Sequence, residues 1–427
     1  MKQAELRKEV AKRGIDPDTV QALHNGKKIS SKDYIRTLQQ HSIEQRGGWN
    51  SLSWGMQRRL EIECPMLCAN YKDMKPAEQT DCMESEDWLC DKKINGVRMI
   101  QTYHPDEGFK FFTRNLSVID WMPSEYTDKV LINHCGELKA GPEFIGEWRQ
   151  PFILDTEICC DNPVVDTTVY RKKGGTVTNS VLNAVNTTLS IEPDISHKIQ
   201  KEQAQLISVA FDCTFFEGRD MRNKTLHVRK NALSHLYGML SAEGIAIRTV
   251  EFTYRNKEEF YKSIIAEGGE GIVLKKLNAT YCSTGKRDKV GFVKRKRTVS
   301  ESLGDDIDAY IVGSHPGTPG TKNEHLVGAV DLAVMLQKED GSEEEFGIAT
   351  VGAMSDEMRK TLTIYEDGKP VLNPAYLGKV LTIDGQDISP KARRFKHARA
   401  DWDRGFRDDK NSTDCTLEEE FINSQIF

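Results

Sequence analysis

This 427-residue sequence is short of four things, and each shortage excludes a class of protein. No apolar run reaches the ~18 residues of a membrane-spanning helix, so no membrane partner is expected. The opening Met1-Lys2-Gln3-Ala4-Glu5 leads into a charged helix and lacks the apolar core of a secretory signal. None of the ten cysteines forms a Cys-x-x-Cys pair: Cys64 and Cys68 flank Pro65-Met66-Leu67, and Cys159 adjoins Cys160. Neither a zinc site nor a disulfide framework is therefore expected, and the thiols read as reduced, mostly buried groups of a cytoplasmic protein. An overall positive charge is also missing. Lys and Arg number 59 against 65 Asp and Glu, and the resulting −6 argues against gripping a polyanion.

The distribution of charge reverses that last exclusion. Residues 1–60 hold twelve Lys and Arg against six Asp and Glu. Lys286, Arg287, Lys289, Lys294, Arg295, Lys296 and Arg297 crowd one short stretch against Asp288 alone. Basic zones separated by acidic surface suit a protein that holds a polyanion along a defined track. Hydrophobic residues make up 38% and charged residues 29%, the balance of a well-solvated globular protein. The length exceeds one ordinary core, so two or three domains are expected.

Residues 4–13 read as an amphipathic helix with Leu6 and Val10 inward, closed by Gly14. Ser30-Ser31-Lys32-Asp33 is a capping-box pattern opening a second helix that carries Tyr34, Ile35 and Leu38 inward. Helix, Arg13-Gly14-Ile15, loop, Gly26-Lys27-Lys28 and helix in that order is similar to a SAP-type DNA-binding hairpin, with a plain helical lead-in as the alternative. Gly47-Gly48 and residues 50–53 read as a closing linker. From Glu61 the texture becomes strands and turns: Leu89–Arg98, Phe109–Arg114, Phe152–Cys160, Leu206–Phe211, Gly271–Leu274 and Val290–Val293. Helices are expected over 226–240 and 257–266, the latter capped by Asn256. Residues 161–200 are polar and rich in Thr, Asn and Gly, and read as an insertion or long loop. After a polar link near 298–305, Ala309–Gly313, Gly328–Leu336, Glu345–Val351 and Lys379–Ile383 have the spacing of a small barrel.

The chain is organised around Asp91-Lys92-Lys93-Ile94-Asn95-Gly96-Val97-Arg98. Asn-Gly is a hairpin-turn signal, and such a turn projects Lys93. A lysine amine attacks only when deprotonated; its free pKa is about 10.4, and neighbouring cations lower it. Arg98, Arg114, Lys275, Lys294 and Lys296 are candidates for that crowd, and they also suit the charge of a phosphoryl group in flight. Glu157 and Glu270 are candidate magnesium or ribose ligands, and Phe211 offers an apolar face to a purine. Taken singly, each has a plainer reading: solvated strand face for Glu157, core for Phe211, surface turn for Arg114, non-specific basic patch for Lys294 to Arg297. Their joint order displaces those readings.

Taken together, these stretches resemble the motifs of ATP-dependent DNA ligases in the covalent nucleotidyltransferase superfamily, from about residue 63 to 410. Lys93 stands where that family carries its adenylated lysine, in Lys-x-Asp-Gly-x-Arg, with Asn95 in place of the aspartate. Arg114 lies in Thr113-Arg114-Asn115, which is similar to Ser-Arg-Asn. Glu157 ends Leu154-Asp155-Thr156-Glu157, which is similar to Leu-Asp-Gly-Glu. Phe211-Asp212 with Gly218, Asp220 and Arg222 resembles the adenine-stacking element and its turn. Glu270 to Lys275 resembles Glu-Gly-x-x-x-Lys, and Lys294 with Lys296 the Lys-x-Lys pair. Arg407-Asp408-Asp409-Lys410 resembles the family's terminal Arg-x-Asp-Lys, and Pro65-Met66-Leu67 its Pro-Met-Leu-Ala strand.

The resemblance implies an α+β protein of three parts. These are a small helical region over 1–62, an ATP-grasp-like adenylation (nucleotidyltransferase) domain over 63–300, and an all-β OB-fold domain over 301–427. It implies catalytic roles for Lys93, Arg98, Lys294, Lys296, Arg407, Asp409 and Lys410. ATP is implied at Lys93, Arg98, Arg114, Glu157, Phe211, Glu270, Lys275, Lys294 and Lys296, and magnesium or manganese at Glu157 and Glu270. The implied substrate is nicked duplex DNA, sealed through a lysine–AMP intermediate by a monomer of the small viral or bacteriophage type, in the host cytoplasm if viral. Asn95 keeps open a ligase of RNA-containing strands, since some RNA-splicing ligases resemble this chain there. A capping guanylyltransferase and an inactive nucleic-acid clamp are further alternatives.

Overall fold

The computed structural model of the chain describes residues 3–20, 29–62, 64–134, 137–140, 150–171, 174–242, 244–245, 248–283, 287–299, 303, 306–385, 387–389 and 392–424. Its contacts fall into two compact units, Met1–Arg295 and Lys296–Phe427. The expected α+β class holds: two mixed sheets flanked by helices make the first unit, and a barrel-like sheet makes the second.

Three helices open the first unit: α1 (Gln3–Lys12), α2 (Ser31–Gln45) and α3 (Trp54–Glu61). The Ser30–Asp33 capping box is present, with the Ser30 N–H donating to Asp33 at 2.7 Å. Leu6, Val10, Tyr34 and Leu38 bury together with Trp121. Gly26-Lys27-Lys28 lies outside the described residues. The stretch read as a closing linker carries a 3₁₀ turn at Trp49–Ser51 and leads into α3, whose N-terminus is capped by Ser53 Oγ accepting from Met56 N. The missed cue is Gly55, a poor helix residue in isolation. Here its absent Cβ lets α3 press against Thr102 and Phe112, 2.5 and 3.1 Å from where a Cβ would stand.

Strand β1 (Leu67–Asn70) opens the first sheet, followed across it by Arg287–Lys296, Gly271–Lys276, β2 (Trp88–Lys92) and Phe252–Thr253. β1 runs parallel to Arg287–Lys296, so this sheet is mixed and not purely antiparallel. The second sheet contains Leu206–Phe216, Phe152–Cys160, β3 (Val97–His104), β4 (Gly108–Leu116) and β5 (Pro123–Glu125) in that order. Because side chains alternate along a strand, each sheet has two faces with different fates. Trp88, Cys90, Ile272, Leu274 and Val293 pack on the helices outside the first sheet. Met99, Tyr103, Leu154 and Ile158 pack on the helices outside the second. Leu89, Ile100, Ile153 and Phe292 meet between the sheets. Residues two positions along from these last ones therefore line the space between the sheets.

The described residues of 161–200, a stretch expected as an insertion or long loop, carry regular structure. A hairpin of Val164–Asp166 and Val177–Asn179 precedes helices Val181–Ser190 and Pro193–Glu202. Polar composition hid them, since Ala184, Val185, Leu189 and Ile199 supply the buried stripe at helical spacing. Asn256 precedes its helix in a left-handed conformation (φ 52°) and makes no side-chain cap, contrary to expectation.

The second unit is built on a sheet ordered Glu343–Val351, Val327–Gln337, Ile307–Pro316, Val380–Asp384, Arg399–Ala400, with Thr416–Glu418 pairing parallel to Val327–Gln337. This is the expected OB-type domain. Most of the polar link before it, residues 300–302 and 304–305, lies outside the described residues. Among the described residues, no helix is long and apolar enough to cross a membrane.

Candidate active site

Lys93 does not sit on a hairpin. β2 belongs to the first sheet and β3 to the second, so residues 93–96 cross from one sheet to the other. Lys93 N–H donates to the Gly271 carbonyl at 2.8 Å, which extends the first sheet's pairing by one residue. Gly96 is required by proximity and not by turn geometry: a Cβ there would stand 2.1 Å from the Ile158 carbonyl oxygen. The crossing leaves Lys93 on the inner face, in line with Leu89 and Asp91. Its Nζ donates to Glu270 Oε2 at 2.6 Å, with the two side chains 20% and 13% exposed. Asn95 is exposed.

Arg98 is committed to a carboxylate. Its Nε and Nη2 grip Asp155 at 2.8 and 2.5 Å, Nη1 donates to the Met66 carbonyl, and the fully buried Asp155 also accepts from the Tyr281 hydroxyl at 2.5 Å. Glu157, two residues on from Asp155, shares that inner face and pairs with Arg98 across the strands. Burial pushes its carboxyl up to about 7, against the opposing pull of Lys93 and Arg98; nearby Glu270 adds to the rise. Lys93, Glu157 and Glu270 thus form one electrostatic group.

Phe211 owes its position to a β-bulge. Ala210 pairs with Thr156 and Asp212 with Asp155, leaving Phe211 as the extra residue. The bulge allows consecutive residues to serve the inner face. The Phe211 ring lies 4.7 Å from Lys275 Nζ and 5.4 Å from the Arg98 guanidinium carbon. Asp212 is held by Arg229 at 2.7 Å. Lys275 is itself anchored, 2.5 Å from the buried Asp91, which also accepts from Lys230 at 2.8 Å. Lys294 and Lys296 follow Phe292 at two-residue steps and so share its inward-facing side of the strand. Burial raises the pKa of the half-buried Cys68 thiol, and the positive charges of Arg98, Lys275, Lys294 and Lys93 oppose that rise.

Arg114 stands apart from this group. It is exposed on β4, and among the described residues its guanidinium reaches only the Asn115 side chain, at 3.4 Å. The crowd of cations expected around Lys93 is accordingly smaller and better compensated than the sequence indicates: Asp155 holds Arg98 and Asp91 holds Lys275.

In the second unit, Arg407, Asp409 and Lys410 gather around a residue that sequence reasoning passed over. Asp308 Oδ2 accepts from Lys410 at 2.6 Å and from Arg407 at 3.2 Å, while its Oδ1 accepts from Thr382 at 2.7 Å. Arg407 also makes a two-pronged contact with Asp409, at 2.9 and 2.7 Å, which holds that carboxyl near 2. Burial favours the neutral form of Asp308, yet the hydrogen bonds from Lys410 and Thr382 bring its pKa below the ordinary value. A lone acid in the apolar run Ile307-Asp308-Ala309-Tyr310-Ile311 was the available signal. Asp91 in Trp88-Leu89-Cys90-Asp91 carried the same one.

This arrangement has counterparts in known proteins. The stretch 65–296 matches the family described as ATP dependent DNA ligase domain. A protein of Dictyoglomus thermophilum named "Probable DNA ligase" is 30% identical over 256 residues, covering 58% of this chain and 37% of that protein. The DNA ligase of Saccharolobus islandicus is 23% identical over 367 residues, covering 78% of this chain and 54% of the relative. The curated relatives are longer proteins, of which the chain spans 24% to 54%. A solved structure named "Pmar-Lig_Pre." superposes with a TM-score of 0.52 at 13% identity over 89% of this chain and 72% of that one, a likeness of fold. Since the match at 65–296 takes in more than half of its length, the chain belongs to the ATP-dependent DNA ligase domain family.

Proposed function

We propose that the protein seals 5′-phosphate/3′-hydroxyl nicks in duplex DNA, using ATP and a covalent Lys93–AMP intermediate. The observation that carries this reading is the placement of Lys93 on the sheet crossing, inside a group formed by Glu270, Glu157, Arg98 and Phe211. In the first step Lys93 Nζ forms a bond to the α-phosphorus, the α–β phosphoanhydride bond breaks, and pyrophosphate leaves. Glu270 is the carboxylate placed to take the lysine proton. Phe211 stacks on the adenine, and Lys275, Lys294 and Lys296 meet the phosphates, with Lys230 left to compensate Asp91 when Lys275 turns away. Arg407, Asp409 and Lys410 are assigned to the departing pyrophosphate. AMP then passes from nitrogen to the 5′-phosphate oxygen at the nick. Finally the 3′-hydroxyl attacks that 5′-phosphorus, AMP leaves, and the phosphodiester is complete.

Magnesium or manganese fits at Glu157 and Glu270. Among the described residues no three His, Cys, Asp or Glu cluster as an all-protein metal cage. One or two carboxylates completed by phosphate and water is the donor set magnesium prefers. When bound, the ion offsets triphosphate charge that cations already paired with carboxylates meet only in part. The domain limits 1–62, 63–300 and 301–427, a monomeric state and a cytoplasmic setting complete the proposal.

Incubation with α-labelled ATP tests the first step: wild-type protein acquires label, and Lys93→Ala does not. No label at any pH overturns the reading, and label from GTP in preference to ATP redirects it to capping. Sealing of nicked DNA against RNA-containing duplexes then decides the strand preference. Asn95, which stands where the resembling enzymes carry aspartate, favours including the RNA arm.

A further inference from the structure

The turn between β4 and β5 shows two apolar side chains to solvent at unusual cost. Val118 is 69% exposed and Ile119 82%, the two most exposed large hydrophobic residues among those described. Their neighbours are fixed. Trp121 N–H donates to the Ser117 carbonyl and Ser117 N–H to the Met122 carbonyl, both at 2.8 Å. Trp121 adopts a left-handed backbone (φ 59°), rare for a bulky residue. Its ring is buried among α1 and α2 residues, yet its indole N–H finds no acceptor among the described residues. Met122 packs with Ile43, Met56 and Phe112. A backbone outlier and an unpaired buried donor are tolerated where the conformation serves a purpose.

Three arginines brace the same hairpin, Arg13 and Arg46 just past the ends of α1 and α2 and Arg59 within α3. Arg13 donates to the Ile119 carbonyl, Arg46 pairs with Asp120 at 2.6 Å, and the buried Arg59 donates to the carbonyls of Thr113, Arg114 and Ile62. All three residues precede the family match at 65–296. Asp120 is neutralised by Arg46, so the hairpin's net charge comes from the exposed Arg114, which has no carboxylate partner among the described residues. An apolar tip beside a solvent-facing guanidinium is complementary to a duplex, where deoxyribose and base edges lie next to phosphates.

We propose that Val118 and Ile119 form an apolar wedge that packs into the minor groove of the nicked duplex while Arg114 meets the adjoining phosphate. The leading helices act as the buttress of this hairpin. This assignment rests on the ligase reading above and adds a surface to it.

The test is Val118→Ser/Ile119→Ser in the full chain, beside Arg114→Ala and wild type. Binding to a fluorescein-labelled nicked duplex is read by anisotropy over a salt series; label from ATP on Lys93 confirms an intact fold in the wedge variant, and circular dichroism does so for Arg114→Ala. The wedge variant is expected to bind about tenfold more weakly with an unchanged salt slope, because no phosphate contact is lost. Arg114→Ala is expected to lower the slope by about 0.9, the share of one phosphate contact. Unchanged affinity in the wedge variant overturns the inference. So does a dimer in wild-type sedimentation that the double substitution dissolves, which makes the tip a contact between copies. If wild type labels and seals but the wedge variant matches it, the ligase reading stands and this inference alone falls. If wild type neither labels nor binds, both fall together.

Discussion

Glu157 offers the sharpest check on the cleft's electrostatics. Its carboxyl is raised from 4.5 to about 7, chiefly by burial, so the folded protein keeps this proton over a range where the unfolded chain has lost it. Stability therefore falls as pH rises through that range, because the native state binds the extra proton. From 4.5 to about 7 the difference corresponds to ~3 kcal/mol, present in full as a penalty above pH 7 and absent below 4.5. Glu157→Gln keeps the shape and removes the titration. Urea unfolding of the full chain, followed by tryptophan fluorescence in EDTA, is measured for both proteins from pH 4.5 to 8. Wild type is expected to lose ~3 kcal/mol relative to the variant across this interval, other groups cancelling in the difference. Lys93 pulls this carboxyl down, so in a Lys93→Ala background the loss is expected to grow and to end at higher pH. A wild-type-minus-variant difference that stays flat with pH refutes the argument.

Other expectations follow from single contacts. Gly96→Ala forces a Cβ to 2.1 Å from the Ile158 oxygen and is expected to cost ~1–3 kcal/mol in thermal unfolding, with a larger loss of Lys93 labelling. Tyr281→Phe removes one donor from Asp155, expected as ~1–2 kcal/mol of lost stability in urea titrations and a lower rate of lysine labelling. Asp308→Ala leaves Arg407 and Lys410 without their shared carboxylate and is expected to destabilise the second unit by ~3 kcal/mol, seen as a separate transition by calorimetry. Arg59→Met strands three carbonyls and is expected to weaken nick binding in anisotropy while lysine labelling persists.

The strands were largely legible because period-two alternation is a local property. Phe152–Cys160 has the bounds expected, and Glu157 falls on the face that alternation gives it. The lead lysine and its companions were legible as ordered motifs. α3 and the helices within 181–202 were not, since α3 contains Gly55 and residues 181–202 are polar in composition. Both depend on what they pack against. Phe211 is instructive in another way. Counting by two from Val209 places it on the inner face, but counting gives no hint of the bulge that lets Asp212 turn inward as well.

Least legible was the partner of each charge. Asp91 and Lys230 lie 139 residues apart, Asp155 and Tyr281 126, Asp308 and Lys410 102. No local pattern links such pairs, yet they decide the chemistry. A list of cations predicts a strongly positive cleft, whereas the structure pairs Lys93, Arg98 and Lys275 with Glu270, Asp155 and Asp91. Under the proposed function, a triphosphate enters such a cleft only as those pairs exchange partners. On the proposed reading Lys93 leaves Glu270 as it attacks, and Lys275 can leave Asp91 because Lys230 remains to hold it. Carboxylates interleaved with the cations thus neutralise them pairwise, and on the proposed reading the ligand's own charge releases the groups that act on it.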